Sequence, residues 1–413
     1  MKILYLHPRS WTGEYPVLLR LRDLGHEVCV LEEDRKLPGP RHFAHHFEQP
    51  GDGISTVWYN PRKGMERVLT WPWDRAHRKA FDGRNLAHRA WIIAAAAKHF
   101  RPDVVVTSDG FSYAIPAARL RRGGKLAAPL VVSYIGGDIL DCPEADVGRR
   151  RTPAVTRLIR DTIAGADLLR PVSPLIESLL RAEGADPKRI HPCPSHLVAP
   201  RDVLDRLHVE RSQVRAAIRA ELGIPQDAPV IVTLSGNQKG KGLHILADAW
   251  PAVRAAVPDV RWLFCGPATP WVQEAVWPRL EAAGATAGIV TTNALAGTRV
   301  FEHLAAADLH VNPSLCESLN MVTVEAAAVG TPTVGTDGAG IAAWMERYGA
   351  GAVVPAGRAA CLADAIICCL KAPARLTAWS MAGREMIAEF ALDRVADRLV
   401  ALFEHARGPR TEP

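Results

Sequence analysis

Two doubly wound parallel sheets, each covered by helices, are what this α/β sequence predicts. Three observations predict them. Short apolar runs alternate with amphipathic helical stretches along the chain. The alternation restarts after a proline-rich, aperiodic interruption at residues 191–200. The length of 413 residues suits two domains, and 48% apolar with 23% charged residues describes an ordinary globular chain.

Taken in order, the strand candidates of the first half are residues 3–7, 27–31, 56–59, 104–107, 130–134, 168–171 and 190–193. Those of the second half are 230–234, 262–265, 288–292, 309–312, 333–335 and 352–354. Residues 104–107 (Val-Val-Val-Thr) and 230–234 (Val-Ile-Val-Thr-Leu) are apolar on both faces, as in a parallel strand buried on both sides. Helices are expected over 211–222, leading into the second sheet, and over 298–307, ahead of the strand at 309–312. The predicted domains are 1–200 and 201–391.

The most informative stretch runs from Pro313 to Gly330. Glu317 lies in a turn after a buried strand, and Glu325 lies one helical turn or so into the helix that follows. A strand-turn-helix unit of this kind aims its carboxylates past the carboxyl edge of the sheet, where open α/β sheets bind ligands. The helix around Glu325 is otherwise apolar, so a partner for its carboxylate is expected. Two isolated glutamates could equally be a helix-terminal carboxylate and a salt-bridged surface residue.

The flanking residues decide between those readings. Glu317, seven residues, then Glu325-Ala-Ala-Ala-Val-Gly-Thr-Pro-Thr-Val resembles the Glu-x7-Glu signature of the family 4 retaining glycosyltransferases. That resemblance implies the GT-B fold: two Rossmann-like domains facing a cleft, with the segment from Leu392 onward packing back on the first domain. It implies that Glu317 contacts the donor sugar, with the turn amides of Ser318, Leu319, Asn320 and Met321 beside it, and that Glu325 holds the ribose hydroxyls.

A second constellation follows the strand at 230–234. Ser235-Gly236-Asn237-Gln238-Lys239-Gly240-Lys241-Gly242 combines flexible glycines, two cations and a following helix N-terminus, a setting for a diphosphate. The spacing is not that of a P-loop. In the family, an arginine and a lysine of this turn hold the donor phosphates. Lys241 matches the lysine, and Asn237 or Lys239 stands in for the absent arginine. In the first half, Gly13 and Trp11 fall in the first strand-helix loop, which replaces the family's glycine-rich loop. Ile135 stands where the family often has a histidine, while Gly136, Gly137 and Asp138 persist. Asp138 is expected to cap the next segment or to reach the acceptor. The sequence Leu24-Gly25-His26-Glu27-Val28 matches a packing turn of the family.

Charge is unevenly divided. Residues 1–200 carry 30 Lys/Arg and 22 Asp/Glu, a balance of +8, against −2 for the remainder. Such a balance attracts phosphorylated acceptors or anionic surfaces. The aromatics Trp58, Tyr59, Trp71, Trp73 and Phe81 lie among Arg62, Lys63, Arg67, Arg75, Arg78 and Lys79, a mixture suited to an acceptor sugar or a membrane interface. No pattern of a nucleic-acid binder accompanies the basic runs. His42, His45 and His46 lack the spacing of a metal site. The eight cysteines are scattered without a Cys-x-x-Cys pair, as in buried free thiols of a reducing compartment. No run reaches the roughly 18 apolar residues of a membrane span, and residues 1–8 read as a strand rather than a signal peptide.

The expectation is therefore a cytoplasmic, metal-independent hexosyltransferase without a cofactor, making peripheral contact with an anionic membrane surface at most. It would take a nucleotide diphosphate sugar as donor and a glycan or lipid-linked hydroxyl as acceptor. A degenerate nucleotide-sugar-binding scaffold and a nucleotide-sugar epimerase are the alternatives.

Overall fold

The computed structural model describes residues 1–6, 13–33, 45–48, 51–59, 86–149, 152–235 and 239–409. The chain divides into two compact units. The first takes residues 1–141 and 148–196 together with the C-terminal stretch from Ala391; the second takes Cys142–Val147 and Leu197–Phe390.

In the first unit the strands are β1 (Lys2–Leu6), β2 (Glu27–Glu33), β3 (His45–Glu48), β4 (Ser55–Tyr59), β5 (Val104–Thr107) and β6 (Leu130–Tyr134). A local two-residue ribbon, β7 (Asp141–Cys142) and β8 (Val147–Gly148), precedes β9 (Leu168–Pro171). The sheet order is β3-β4-β2-β1-β5-β6-β9, parallel except for β3, which runs antiparallel along β4. β5 and β6 are buried at every position, which is why they read as continuous apolar runs. The helix Leu392–Arg407 buries Val395, Leu399, Leu402 and Phe403 in one cluster with Ile3, Tyr5, Val17 and Leu21. The Tyr5 and Phe403 rings meet edge-on at 6.2 Å.

The second unit carries β10 (Val230–Leu234), β11 (Arg261–Cys265), β12 (Ile289–Thr292), β13 (Leu309–Asn312), β14 (Thr333–Thr336) and β15 (Gly351–Val354). All are parallel, in the order β12-β11-β10-β13-β14-β15. The order reverses between β10 and β13, so the crevice at their carboxyl ends is the topological switch point, where doubly wound sheets take their ligands.

Three local expectations are corrected. Residues 190–193 form no strand: Ile190 makes one isolated bridge to Leu169, and although His191 N–H donates to Leu169 O at 2.8 Å and Cys193 N–H to Pro171 O at 3.1 Å, Pro171 has no N–H to return the next rung. The helix expected over 211–222 begins at Arg201 and runs to Glu221, with non-helical angles at Glu210 where two helical pieces meet. The edge strand β3 was not foreseen, because His-His-Phe-Glu has no apolar alternation. Among the described residues no helix is long and apolar enough to cross a membrane. The cysteines are all free; Cys29, Cys142, Cys193, Cys265 and Cys369 are buried, while Cys361 and Cys368 are exposed.

Candidate active site

The two segments singled out in the second half meet at the switch point of its sheet. After β10 the chain forms a single 3-10 turn, Lys239–Lys241, and then the helix Leu243–Ala256. Gly242 between them has φ +68°, and a β-carbon there would sit 1.9 Å from the Pro313 carbonyl oxygen, so the site demands glycine. Leu315 N–H donates to the Gly240 carbonyl at 2.8 Å, tying the phosphate-type turn directly to the glutamate turn.

The glutamate turn is fastened on its other side as well. Glu317 N–H donates to Gly338 O at 2.9 Å, Gly340 N–H to Glu317 O at 3.0 Å, and Ile341 N–H to Leu319 O at 2.9 Å. Gly338 is packed so closely that a β-carbon would meet the Leu315 carbonyl oxygen at 2.4 Å. The turn ends at Asn320, in the left-handed region at φ +79°, a conformation asparagine tolerates better than most residues. Its Oδ1 accepts from Thr323 N–H at 2.8 Å and so caps the helix Met321–Ala328. The backbone amides of Ser318, Leu319, Asn320 and Met321 donate to no carbonyl among the described residues. Four such donors at a helix start form a ready site for an anion or a row of hydroxyls.

Side chains converge on the same place. Lys241 Nζ pairs with Glu317 Oε1. Glu317 Oε2 accepts from Asn320 Nδ2 at 2.7 Å and from Ser314 Oγ at 2.9 Å. Burial alone would raise the Glu317 carboxyl, but Lys241, Asn320 and Ser314 outweigh it and hold the group below its usual range. Glu317 is thus an anion locked in one orientation. A small pocket beneath is lined by Thr233, Ser235, Lys241, His310, Asn312 and Ser314. His310 is buried, and burial pushes its imidazole down to about 3, so it is neutral at physiological pH.

Glu325 is the opposite case. Burial pushes its carboxyl up to about 7, and among the described residues no hydrogen bond or ion pair answers it. The expected protein partner is not among the described residues. An apolar helix holding a half-buried carboxylate without a partner leaves that carboxylate for something outside the chain.

The other sequence candidates are placed as follows. Lys239 stands in the 3-10 turn within electrostatic reach of Glu144. Leu319 turns its side chain into a core cluster with Ile341, Met345 and Phe390, and so offers the site backbone only. Gly13 takes φ +74° immediately before the first helix, Tyr15–Asp23. Asp138 is 4% exposed. Its carboxylate accepts from the backbone N–H of Gly110 at 2.7 Å, Gly136 at 2.8 Å and Ile135 at 3.2 Å. It braces the turn, and its oxygens are spent on the backbone. Trp11, Asn237, Trp71, Trp73, Phe81, His42 and the cations Arg62, Lys63, Arg67, Arg75, Arg78 and Lys79 lie outside the described residues. No group of three or more potential metal ligands occurs among the described residues.

Two family profiles match the chain in tandem. One, described as a glycosyl transferase 4-like domain, covers residues 17–196, and one described as glycosyl transferases group 1 covers residues 228–372. The chain belongs to the group 1, family 4 glycosyltransferases. Among relatives of this family, the D-inositol 3-phosphate glycosyltransferase of Segniliparus rotundus is 31% identical over 202 residues, which span 48% of this chain but only 45% of that relative. The putative colanic acid biosynthesis glycosyltransferase of Salmonella typhimurium is 26% identical over 363 residues, 83% of this chain and 82% of the relative. An Anabaena protein solved with UDP-glucose superposes with a TM-score of 0.69 at 17% identity, over 97% of this chain and 98% of that one. The fold is that of the GT-B glycosyltransferases.

Asn312 and Ser314 are the site residues that reading the family's glutamates misses. The only signal for them in the sequence is a pair of polar residues where a buried apolar strand ends.

Proposed function

We propose that this protein is a retaining hexosyltransferase that takes a nucleotide diphosphate sugar as donor and a hydroxyl group as acceptor. One observation carries the reading: at the switch point, Glu317, locked by Lys241 from the neighbouring turn, and four open amides lie in the same turn-helix unit as the unanswered carboxylate of Glu325. A nucleotide sugar supplies what each lacks. Ribose hydroxyls would donate to Glu325. The diphosphate would take Lys241 and Lys239 as counter-charges, and the amides of Ser318 to Met321 would face the phosphate or the sugar. Glu317, already held by three donors, would orient sugar hydroxyls without reorganising.

As the bond from the sugar carbon to the diphosphate breaks, negative charge builds on the leaving oxygen. Lys241 and the helix-start amides stabilise that charge, the largest electrostatic contribution the site offers. Retention fits a site whose Glu317 is committed to the lysine rather than poised as a nucleophile. This chemistry asks for no metal; the lysines take that part. The Anabaena protein was solved with UDP-glucose, which makes a uridine nucleotide the first donor to try. The relatives act, by their names, on inositol 3-phosphate and in colanic acid biosynthesis, so a phosphorylated polyol or a growing glycan is the acceptor class to test. The positive balance of the first 200 residues suits such an anionic acceptor.

The deciding experiment is a thermal-shift panel of UDP-, GDP- and ADP-sugars on wild type, Glu325→Ala and Lys241→Ala. The expected result is stabilisation of wild type by one nucleotide class and its loss in both variants. Stabilisation by none of them would end the reading. Transfer or slow hydrolysis of that donor, lost in Glu317→Ala, distinguishes an enzyme from a binding scaffold.

A further inference from the structure

The contacts around Glu317 contain a contradiction that points to a further residue. Ser314 Oγ lies 2.6 Å from Asn312 Oδ1 and 2.9 Å from Glu317 Oε2. A hydroxyl has one proton, and both neighbours in that arrangement are acceptors. One of the two contacts would then set lone pair against lone pair. At the same time Asn312, 3% exposed, leaves its Nδ2 buried with no acceptor. A buried donor without a partner costs on the order of 1–3 kcal/mol.

Both difficulties vanish together if the amide is turned over, since its oxygen and nitrogen are alike in shape and only their partners tell them apart. Nδ2 then donates to Ser314 Oγ, and the Ser314 proton goes to Glu317 Oε2. The carbonyl oxygen takes the pocket side, where a missing partner is better tolerated and Lys241 is a fellow lining residue. The contact given up is Ser314 N–H to Oδ1 at 3.4 Å, long for a hydrogen bond. Asn320 allows no such freedom, because its Oδ1 receives Thr323 N–H and Thr323 Oγ at 2.8 and 2.9 Å.

We propose that Asn312 is a positioning residue for Glu317, acting through Ser314. The chain of donors runs from Asn312 Nδ2 to Ser314 Oγ to Glu317 Oε2, while Asn320 and Lys241 approach the same carboxylate from other sides. Asn312 acts here through Ser314 rather than on Glu317 directly. It fixes the direction of the Ser314 hydroxyl, and with it the orientation of the carboxylate. Its importance for transfer rests on Glu317 serving the donor sugar, but its geometry does not.

The test is therefore made first on the free protein. The Glu317 carboxyl is titrated by carbon-13 NMR of glutamate-labelled protein, with the signal assigned by its absence in Glu317→Gln. If Ser314 donates to Glu317, Ser314→Ala raises the Glu317 titration midpoint by about one pH unit. Ser314→Thr, which keeps the hydroxyl, restores it, and Asn312→Leu raises it part of the way, because the Ser314 hydroxyl loses the donor that fixes its direction. If instead Ser314 donates to Asn312, Ser314→Ala changes nothing and Asn312→Leu frees the proton, lowering the midpoint. That second pattern overturns the proposal whether or not the protein transfers hexose. With a donor in hand, Ser314→Ala should lower kcat about tenfold more than it raises KM, with the acid limb of the rate profile moving to higher pH. An unmoved acid limb would overturn the role in positioning while leaving the function intact.

Discussion

Replacing Glu325 by glutamine should make the free protein more stable and the nucleotide-bound protein less so. The Glu325 carboxyl rises from an ordinary 4.5 to about 7 because it is buried in an apolar helix without a partner. Between those values the folded state holds a proton that the unfolded chain has released, so stability falls as pH rises through the window and levels off above about 7. The gap, at ~1.4 kcal/mol per pH unit, is worth ~3.4 kcal/mol; the part of the side chain still open to water screens it to about 1–2 kcal/mol. Glu325→Gln removes the ionisation. At pH 5 the two proteins should melt together. At pH 8 the variant should melt higher by about 3–6 °C for a unit of this size. With the stabilising nucleotide present the order should reverse, because the amide cannot take two ribose hydroxyls as a carboxylate can. Differential scanning fluorimetry from pH 5 to 8.5, with and without UDP-glucose, reads all three outcomes. Parallel curves for wild type and variant in the free state would mean that Glu325 has a partner after all, and the reasoning from its isolation would fall.

Lys241→Ala should weaken UDP-glucose binding at least about tenfold, measured by calorimetry, because it removes a counter-charge and leaves Glu317 buried as an unpaired anion; unchanged affinity would remove Lys241 from the site. Gly242→Ala should cost about 2–4 kcal/mol in urea unfolding, from the positive φ and the collision with the Pro313 carbonyl, and a loss below about 0.5 kcal/mol would contradict that packing. Asp138→Asn should destabilise by about 2–3 kcal/mol, since an amide offers one acceptor oxygen where three backbone N–H groups converge. The Asp138 carboxyl is itself pushed up to about 6, by burial and by Asp109 against the pull of those amides. Acidification through that range should therefore favour the folded first unit at this position, and an unchanged urea midpoint in the variant would show that the turn is held by other contacts.

The sheets were legible because buried parallel strands leave no polar alternation: β5, β6 and β10 stand out by composition alone. The glutamate turn was legible through its spacing, which fixes a turn and one face of a helix. What stayed hidden depends on neighbours that the local pattern does not specify. An apolar helix around Glu325 says that a carboxylate is costly there, but not whether another element comes to meet it. Arg201 to Glu210 opens a helix directly after Pro200 without a capping side chain, so no start signal marked it. Asn312 and Ser314 gain their meaning only when β13 lies beside β10 and Lys241 arrives from the other strand.

The short excursion Cys142–Val147 has a practical consequence for anyone who recombines the two halves of such chains. It belongs to the second unit although it is encoded among the strands of the first. Gly240, in the turn between the two lysines, has no room for a side chain because Val147 lies where its β-carbon would be, at 2.6 Å, with the Ala145 carbonyl at 3.5 Å. A second unit expressed as residues 197–390, or transplanted whole onto another chain's first half, would carry its lysine turn with one wall missing. The seam for a chimera therefore has to be cut in four places rather than two, and the six residues 142–147 have to travel with the half they cover.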